Sequence, residues 1–513
     1  MKVSLLNIRS RHTKSPGIPL GIAILGGVLK RDGHTIQLVD PLNLEQDEIV
    51  RKIVTFGPDL IGISCMTLNF SVAVETMQQL RRQVPPDVIF CAGGLHPTVM
   101  PEDALGKLGV DFIIVGEGEI PLAHACRVLQ RGQPITPHLP TIPGAAYRDA
   151  EGNLVTNPAE VLANLDSLPN PAWKDLDMEL YLRPPGFIRG SIFNRVGVVM
   201  YSRGCPYLCT YCSSAAMFHR RARFHSTEYM VAKIRRLRTD YHIDAYYFTD
   251  ETFGLKRSRL LHLCAGLKTV GLPWGCSTRV NLLDEATLHV MRDAGCIHID
   301  VGVESGSQRV RDVLQRGQRQ EIFKEIFSIC HRLKIRAFAQ VMVGCPGETR
   351  EEVAETIEML QALRPTYTQV SIFTPLPGTT AFEEYRTQLE PIAEYVARLN
   401  DFDIANTTKP LVNLSAMTDQ EILESRARIL RSMFYNNYIN LLTWRHIVFL
   451  GKTLAASFFY PRLTWRAIGC AIRERRPEYF IYQLIFNYVS IYNPKQQTRF
   501  SLGPFARNAD TTQ

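Results

Sequence analysis

Two separate stretches of the chain alternate short apolar strands with helical segments, and this alternation restricts the fold more than any other feature. The first stretch covers residues 1–135 of a 513-residue sequence. Alternation of this kind predicts an α/β fold, a doubly wound parallel sheet that binds ligands beyond the carboxyl ends of its strands. Strands are predicted at residues 2–8, 35–40, 60–65, 88–92 and 112–115, and helices at residues 20–31, 45–56, 70–84 and 101–108.

The second stretch, residues 191–380, repeats the alternation at the pitch of βα units. Its six predicted strands indicate a partial (β/α)6 barrel, in which chemistry takes place at the carboxyl ends of the strands. Residues 136–190 are rich in proline and turn residues and are predicted to form a linker with a small hairpin. Residues 381–513 are predicted to be a helical C-terminal region. The barrel strands are predicted at residues 196–201, 245–249, 275–279, 298–303, 337–343 and 369–374.

Three cysteines, Cys205, Cys209 and Cys212, lie on the loop after the first predicted barrel strand, with the spacing C-x3-C-x2-C. Three thiolates on one loop can hold three irons of a [4Fe-4S] cluster and leave the fourth iron open to a small chelating molecule. The alternative is a zinc site with His219 as its fourth ligand. Zinc sites usually pair two C-x2-C hooks, and this region has one, so the cluster is the preferred interpretation.

This cysteine motif resembles the signature of the radical S-adenosylmethionine (SAM) enzymes, and the resemblance covers nearly all of residues 191–380. It implies that SAM binds the open iron and is cleaved to a 5′-deoxyadenosyl radical. A SAM site also needs acceptors for the ammonium group, donors for the carboxylate and a carboxylate for the ribose hydroxyls. Residues at successive strand ends supply this set, namely Asp250, Glu251, Ser277, Arg279, Glu304 and Ser305.

Two of these positions match the family's motifs in different degrees. Glu304 matches the residue that lies near the SAM ribose. The segment at Asp250 takes the place of the one that touches the methionine amine, but it departs from the family's common Gly-Gly-Glu. A lone acidic residue at a strand end is usually solvated or caps a helix, whereas several on successive strands favour a binding site.

Two loops of the first domain read Gly94-Leu95-His96-Pro97-Thr98 and Gly116-Glu117-Gly118-Glu119. They resemble the cobalamin-binding domain of the cobalamin-dependent radical SAM group, which includes methyltransferases and the anaerobic magnesium-protoporphyrin monomethyl ester cyclase. Glycines in these loops let the backbone approach a large ligand. The sequence lacks Asp-x-His-x-x-Gly, so the resemblance implies cobalamin bound without a histidine from that motif. The alternative is a domain that has lost the cofactor. The predicted cobalamin residues are Ser64, Thr67, Gly93, Gly94, His96, Gly116, Glu117 and Gly118.

The resemblance implies a radical SAM enzyme that methylates an unactivated carbon of a small-molecule or lipid-like substrate, with a flavodoxin or ferredoxin as reductant. One alternative is oxidative cyclisation or rearrangement that uses cobalamin without methyl transfer. An iron–sulfur electron-transfer protein is the alternative from another class, but carriers normally use four protein ligands. A methylthiotransferase is disfavoured because it needs three further cluster cysteines in the first domain, which has only Cys65, Cys91 and Cys126.

The composition of the chain indicates its class of protein, its partners and its location in the cell. The 45% hydrophobic and 21% charged residues are those of an ordinary globular protein. The net charge of +8 comes with no basic-aromatic pattern, which argues against nucleic acid as a partner. Twelve scattered cysteines without a signal-like apolar segment predict a reducing, cytoplasmic location and an oxygen-sensitive cluster.

The C-terminal region also suggests peripheral membrane contact, with a helical cap on the barrel as the alternative. Its tryptophans and arginines lie at 444–445, 465–466 and 473–476, and apolar residues follow at 479–492.

Overall fold

The structure is a computed structural model that describes residues 1–10, 17–42, 44–182, 188, 195–400, 402 and 409–433, together with 451 and 465. Residues 1–437 form one compact unit, and residues 438–513 form a second. The description below concerns the first of these units.

The first sheet has the strand order β2-β1-β3-β4-β5-β6-β7, in which the first five strands in this order are parallel. This parallel part confirms the predicted doubly wound sheet, and its switch point lies between the first and third strands of the chain. The strands are β1 (Lys2–Asn7), β2 (Thr35–Val39), β3 (Leu60–Ser64), β4 (Ile89–Gly93), β5 (Phe112–Ile114), β6 (Ala145–Arg148) and β7 (Leu154–Thr156). The helices are α1 (Leu20–Arg31), α2 (Gln46–Phe56), α3 (Phe70–Arg81), α4 (Leu95–Val99), α5 (Pro101–Leu108) and α6 (Glu119–Gln130).

The hairpin of β6 and β7 extends the first sheet. The sequence assigns these residues to a linker, whereas in the structure β6 pairs antiparallel with β5 and places Ala146 opposite Ile113. Helix α7 (Met178–Tyr181) follows, and the Tyr181 hydroxyl donates a hydrogen bond to Asp40 Oδ2 at 2.6 Å. Much of the predicted linker is therefore packed on the first domain.

The second sheet has the order β15-β14-β13-β12-β11-β8 and is parallel throughout. Neighbours in space follow one another along the chain, which confirms the partial barrel. Its strands are β8 (Val196–Val199), β11 (Ala245–Phe253), β12 (Trp274–Thr278), β13 (Cys296–Glu304), β14 (Arg336–Val343) and β15 (Tyr367–Ile372), and β9 (Ser202–Arg203) pairs with β10 (Arg223–Phe224) in a short ribbon. The helices are α8 (Ser214–Phe218), α9 (Thr227–Tyr241), α10 (Arg257–Val270), α11 (Glu285–Asp293), α12 (Gln308–Val313), α13 (Gln320–Arg332) and α14 (Arg350–Leu363).

Three helices of the C-terminal region are described: α15 (Thr380–Glu384), α16 (Ile392–Leu399) and α17 (Asp419–Ser432). Helix α17 begins at a capping box of Thr418 and Glu421 and packs on β15, where Arg426 donates to the Val370 carbonyl. The segments predicted to contact a membrane, 444–466, 473–476 and 479–492, lie outside the described residues except for Gly451 and Trp465. In the described part of the chain, no helix is long and apolar enough to span a membrane.

Candidate active site

The cysteine loop begins where β8 ends, and two acidic residues of β11 fix its entry. Asp250 is buried and accepts hydrogen bonds from the backbone amides of Tyr201 at 3.0 Å and Ser202 at 2.6 Å. Burial raises the pKa of Asp250 to about 7. Glu251 Oε2 accepts from the Gly204 amide at 3.0 Å. Both carboxyl groups therefore hold the backbone that leads into the loop.

Gly204 itself has a backbone conformation that other residues rarely adopt. Its φ is +87°, and a Cβ at this position would collide with the carbonyl oxygen of Arg221. A glycine is therefore required directly before Cys205.

The three loop cysteines reach solvent, whereas the other eight cysteines of the described residues are buried. Desolvation raises the pKa of Cys212, and Cys209 and Cys205 add to the rise, so the three thiols lie within electrostatic range of one another. The described residues contain no preformed group of three or more His, Cys, Asp or Glu side chains in metal geometry. Ligation by these cysteines therefore stays a prediction, and the chemistry of the three thiols fits it.

Each thiol has different neighbours. Cys205 Sγ lies 3.3 Å from the Thr252 hydroxyl. Cys209 Sγ accepts from Arg279 Nη1 at 3.3 Å and from Arg316 Nη1 at 3.6 Å. Two guanidinium groups thus converge on one of the three predicted ligands.

Glu304, at the end of β13, connects the cysteine loop to Arg316. Its Oε1 accepts from the Tyr211 hydroxyl at 2.7 Å and lies 3.4 Å from Arg316 Nε. The backbone of Glu304 is left-handed, with φ +65°. A Cβ at Gly302 would collide with both Glu304 Oε1 and Arg316 Nη2, so only glycine at 302 permits this ion pair.

The structure brings some of the predicted SAM residues together and uses others elsewhere. Arg279 and Glu304 converge on the cysteine loop through Cys209 and Tyr211, and Ser277 lies in β12, two residues before Arg279. Asp250 accepts hydrogen bonds from the backbone of the loop entry, and its predicted contact with the SAM ammonium group stays a prediction. Ser305 is fully buried with its Oγ 3.2 Å from the Thr356 hydroxyl, so it packs against α14.

An apolar cavity of about 260 Å³ lies at the carboxyl ends of the first sheet. Six of the eight predicted cobalamin residues line it: Ser64, Gly93, Gly94, Gly116, Glu117 and Gly118. Gly94 has φ +97°, and a Cβ there would lie 2.6 Å from the Cys65 carbonyl oxygen. The glycines and the apolar walls suit part of a large ligand, such as the nucleotide tail of cobalamin, at the crevice where doubly wound sheets bind ligands.

Thr67 and His96, the other two predicted cobalamin residues, are not among the residues that line the cavity. His96 is fully buried, its Nδ1 lies 3.1 Å from the Thr67 hydroxyl and its Nε2 lies 3.2 Å from Asp103 Oδ2. The ring also packs against Phe70, with the ring centroids 3.8 Å apart and the planes tilted by 34°. Because both ring nitrogens have protein partners, His96 fixes the packing of α4 against α5, and its predicted contact with cobalamin stays a prediction.

A buried ion network joins the cavity to the cysteine loop. Arg203 donates to Glu117 at 2.7 Å and to Glu119 at 2.6 Å, and Arg223 donates to Glu117 at 2.6 Å. Burial alone raises the pKa of Glu117, but the hydrogen bonds and charges of Arg223 and Arg203 lower it below its usual value. The loop between β5 and α6 is therefore tied to the β9–β10 ribbon.

Sequence reasoning misses Arg203 and Arg316. Arg203 stands two residues before the first cysteine, and this position beside the motif is the sequence signal that could have identified it. Arg316 lies between α12 and α13, far from any motif, and reaches Cys209 only through the tertiary fold.

Comparison with known proteins agrees with both halves of this site. The B12 binding domain family matches residues 7–125, and the Radical SAM superfamily matches residues 199–360. An uncharacterised methyltransferase of Pyrococcus horikoshii is 30% identical over 436 residues, which cover 84% of this chain and 89% of the relative. The chain belongs to the cobalamin-binding radical SAM family.

Other members and solved structures are similar over most of the chain. The anaerobic magnesium-protoporphyrin IX monomethyl ester cyclase of Rubrivivax gelatinosus is 29% identical over 427 residues, or 82% of this chain and 74% of the cyclase. The radical SAM methyltransferase TsrM of Kitasatospora setae, solved with cobalamin and a [4Fe-4S] cluster, superposes with a TM-score of 0.65 at 19% identity. That match covers 76% of this chain and 78% of TsrM, and it shows the fold.

Membership in this family makes the chain an enzyme whose cofactors are a [4Fe-4S] cluster, SAM and cobalamin. The residues fit these groups. Three accessible thiols on one loop suit the cluster, a glycine-lined cavity at the switch point suits cobalamin, and Arg279 with Glu304 offers the charges that SAM needs.

Proposed function

We propose that the enzyme methylates an unactivated carbon of a small-molecule substrate. The observation that carries this proposal is the composition of the cavity wall. One side consists of strand ends of the first sheet, and the other includes Met200, Arg203, Met217 and Phe218, which flank the cysteine loop. A cobalamin held in this cavity is then next to the segment that carries the cluster cysteines, which is the arrangement that methyl delivery to a substrate radical requires.

When bound, the cofactors supply reductive cleavage of SAM and a transferable methyl group, and the protein supplies binding, orientation and exclusion of water. Cys205, Cys209 and Cys212 would hold the cluster. Arg279 would donate to the SAM carboxylate and Glu304 would accept from the ribose hydroxyls, with Ser277 beside them. Met217 and Phe218 give the cavity an apolar wall that would pack against the bound cobalamin and exclude water from it.

The partners of this reaction follow from its chemistry. A low-potential one-electron donor of the flavodoxin or ferredoxin kind is required to reduce the cluster. An oxygen-sensitive cluster with thiolate ligands also favours the reducing cytoplasm. We further propose that the substrate is small or lipid-like and that the protein contacts an anionic membrane. Both of these properties would depend on the segments after residue 433.

The second candidate function is oxidative cyclisation, which is favoured by the 29% identity to the magnesium-protoporphyrin cyclase over 82% of the chain. The methyltransferase proposal draws instead on the Pyrococcus relative, which is similar over a larger share of its own length, 89% against 74%. Both candidate reactions use the cluster, but one forms a methylated product and the other a cyclised product.

One experiment separates them. The reconstituted enzyme is incubated anaerobically with SAM labelled in its methyl group and a metabolite extract of its own host, and products are found by mass spectrometry. A product that gains one labelled methyl group supports methylation, whereas an unlabelled product that loses two hydrogens supports cyclisation. The matched control is Cys209→Ala, which should form neither product. If the active enzyme forms no methylated product but forms the dehydrogenated one, the first proposal is wrong.

A further inference from the structure

The three cysteines of the loop have unequal electrostatic surroundings. Cys205 lies beside the neutral hydroxyl of Thr252 at 3.3 Å. Cys209 instead accepts from two guanidinium groups, Arg279 Nη1 at 3.3 Å and Arg316 Nη1 at 3.6 Å. Charged donors form the stronger hydrogen bonds, so Cys209 is the sulfur on which positive charge is concentrated.

Both guanidinium groups are held in place by further bonds. Arg316 Nη2 donates to the Gly302 carbonyl at 2.9 Å. Arg279 Nη2 donates to the Arg316 carbonyl at 2.5 Å, and its guanidinium group stacks on the Tyr207 ring at 3.7 Å. The side chain of Arg316 is 9% exposed, and Arg279 is 4% exposed as a whole residue. The N–H groups are thus fixed toward Cys209 before any cofactor binds.

The positive charge at Cys209 is only partly balanced. Glu304 Oε1 lies 3.4 Å from Arg316 Nε and forms its ion pair. The other bonds of Arg279 go to neutral acceptors, the Asn281 side chain and the Arg316 carbonyl. Two cations and one carboxylate leave a net charge of about +1 beside this sulfur, in a buried setting where charge–charge energies are larger than in water.

We propose that Arg279 and Arg316 raise the reduction potential of the iron–sulfur cluster through Cys209, and that Glu304 opposes them. Reduction adds one electron from a low-potential donor and makes the cluster more negative by one charge. Nearby positive charge and hydrogen bonds to the sulfurs stabilise that more negative state. The inference requires Cys209 to be a cluster ligand, but it does not depend on whether the reaction is methyl transfer or cyclisation.

Potentiometric titration followed by electron paramagnetic resonance tests this proposal without SAM or cobalamin. Arg279→Gln and Arg316→Gln are reconstituted anaerobically and checked for four irons and four sulfides per chain. Each should lower the equilibrium constant for cluster reduction by about tenfold, which is about 59 mV for one electron. Glu304→Gln should shift the potential in the opposite direction, upward. Arg316→Lys keeps the charge and should recover part of the loss.

The matched control is Arg309→Gln on α12, because Arg309 pairs with Glu352 and its side chain is half exposed. Its cluster potential should equal that of the unchanged enzyme. The proposal is overturned if Arg279→Gln and Arg316→Gln keep intact clusters and have the same potential as the unchanged enzyme. It is also overturned if the potentials of all variants, including Glu304→Gln, shift in the same direction. If Arg279→Gln and Arg316→Gln lose the cluster, the test rests on Glu304→Gln alone, and an unchanged or lower potential in that variant overturns the proposal. Failure of Cys209 as a ligand is recognised separately, because Cys209→Ala would then retain the cluster.

Discussion

Arg203 and Glu117 form a buried ion pair of 2.7 Å that joins the first domain to the segment entering the cysteine loop. The pair is part of a network, since Glu119 also accepts from Arg203 and Arg223 also donates to Glu117. Gly116 and Gly118, which flank Glu117, line the cavity as Arg203 does. The wall of the glycine-lined cavity and the approach to the cysteine loop therefore share one set of charges.

Arg203→Gln should strongly destabilise the chain. Removing one member of a buried pair leaves the other charge unpaired, which typically costs about 3–5 kcal/mol of unfolding free energy. Here Glu119 loses its partner, whereas Glu117 keeps Arg223. Urea unfolding measures the change. Lys30→Gln is the control, because Lys30 and Asp175 form an exposed pair whose loss should cost less than about 1 kcal/mol. Similar losses of unfolding free energy in the two variants would argue that the buried network does not hold the first domain to the segment entering the cysteine loop.

Cys209→Ala should abolish the cluster, because three thiolates are the smallest set that leaves one iron open. The measurement is iron and sulfide content together with the brown absorbance after anaerobic reconstitution. Cys330→Ala is the control, since that thiol is buried in the core beside other apolar side chains and should leave the cluster intact. A full cluster in Cys209→Ala would remove this residue from the ligand set.

Gly93→Val should weaken cobalamin binding by at least about tenfold, since a methyl-bearing side chain takes space that the cofactor needs at the end of β4. A Cβ at Gly93 has only ordinary contacts, with the Ile114 carbonyl oxygen at 3.7 Å, so the variant should fold. Retention of hydroxocobalamin through gel filtration gives the readout. Gly106→Ala, in open space on α5, is the control and should retain about one equivalent, as expected for one switch-point crevice. Equal retention by both variants would mean that cobalamin binds elsewhere.

Asp250 and Glu348 should each contribute a loss of stability as the pH rises toward neutrality. Burial raises the pKa of Asp250 to about 7 and that of Glu348 to about 7, well above their values in an unfolded chain. Between roughly pH 4 and 7 the folded chain holds protons that the unfolded chain has lost, so raising the pH favours unfolding. The slope is on the order of 1 kcal/mol per pH unit for each group. In urea unfolding at several pH values, Asp250→Asn should lose less stability, or gain more, between pH 4 and 7 than the unchanged chain, and an identical pH dependence would refute the assignment.

The fold was largely predictable because local and tertiary signals agree. The predicted helix at residues 20–31 is α1, where the apolar residues Leu20, Ile24 and Val28 recur at helical spacing and are buried. The barrel strands were predicted from short apolar runs flanked by polar turns. The sequence predicts that strand β11 ends at residue 249, but the strand continues to Phe253, which pairs with Thr278 of β12 after a shift in register that no local pattern reveals.

The site was less predictable, because residue type does not determine the partner. Ser305 follows Glu304 in the sequence, yet alternation along the chain turns it away from the cysteine loop and into contact with Thr356. His96 has the chemistry of a ligand but is saturated by Thr67 and Asp103. Arg316 reaches Cys209 from a segment more than a hundred residues away, so only the folded chain identifies it.

The stoichiometry of co-products tests the central claim most directly. With its true substrate and SAM, a cobalamin-dependent radical methyltransferase uses two SAM molecules in each turnover. We therefore expect one S-adenosylhomocysteine and one 5′-deoxyadenosine for every methylated product, measured by quantitative mass spectrometry under anaerobic conditions. Product-linked 5′-deoxyadenosine without matching S-adenosylhomocysteine would contradict methyl transfer and leave a radical SAM cyclase.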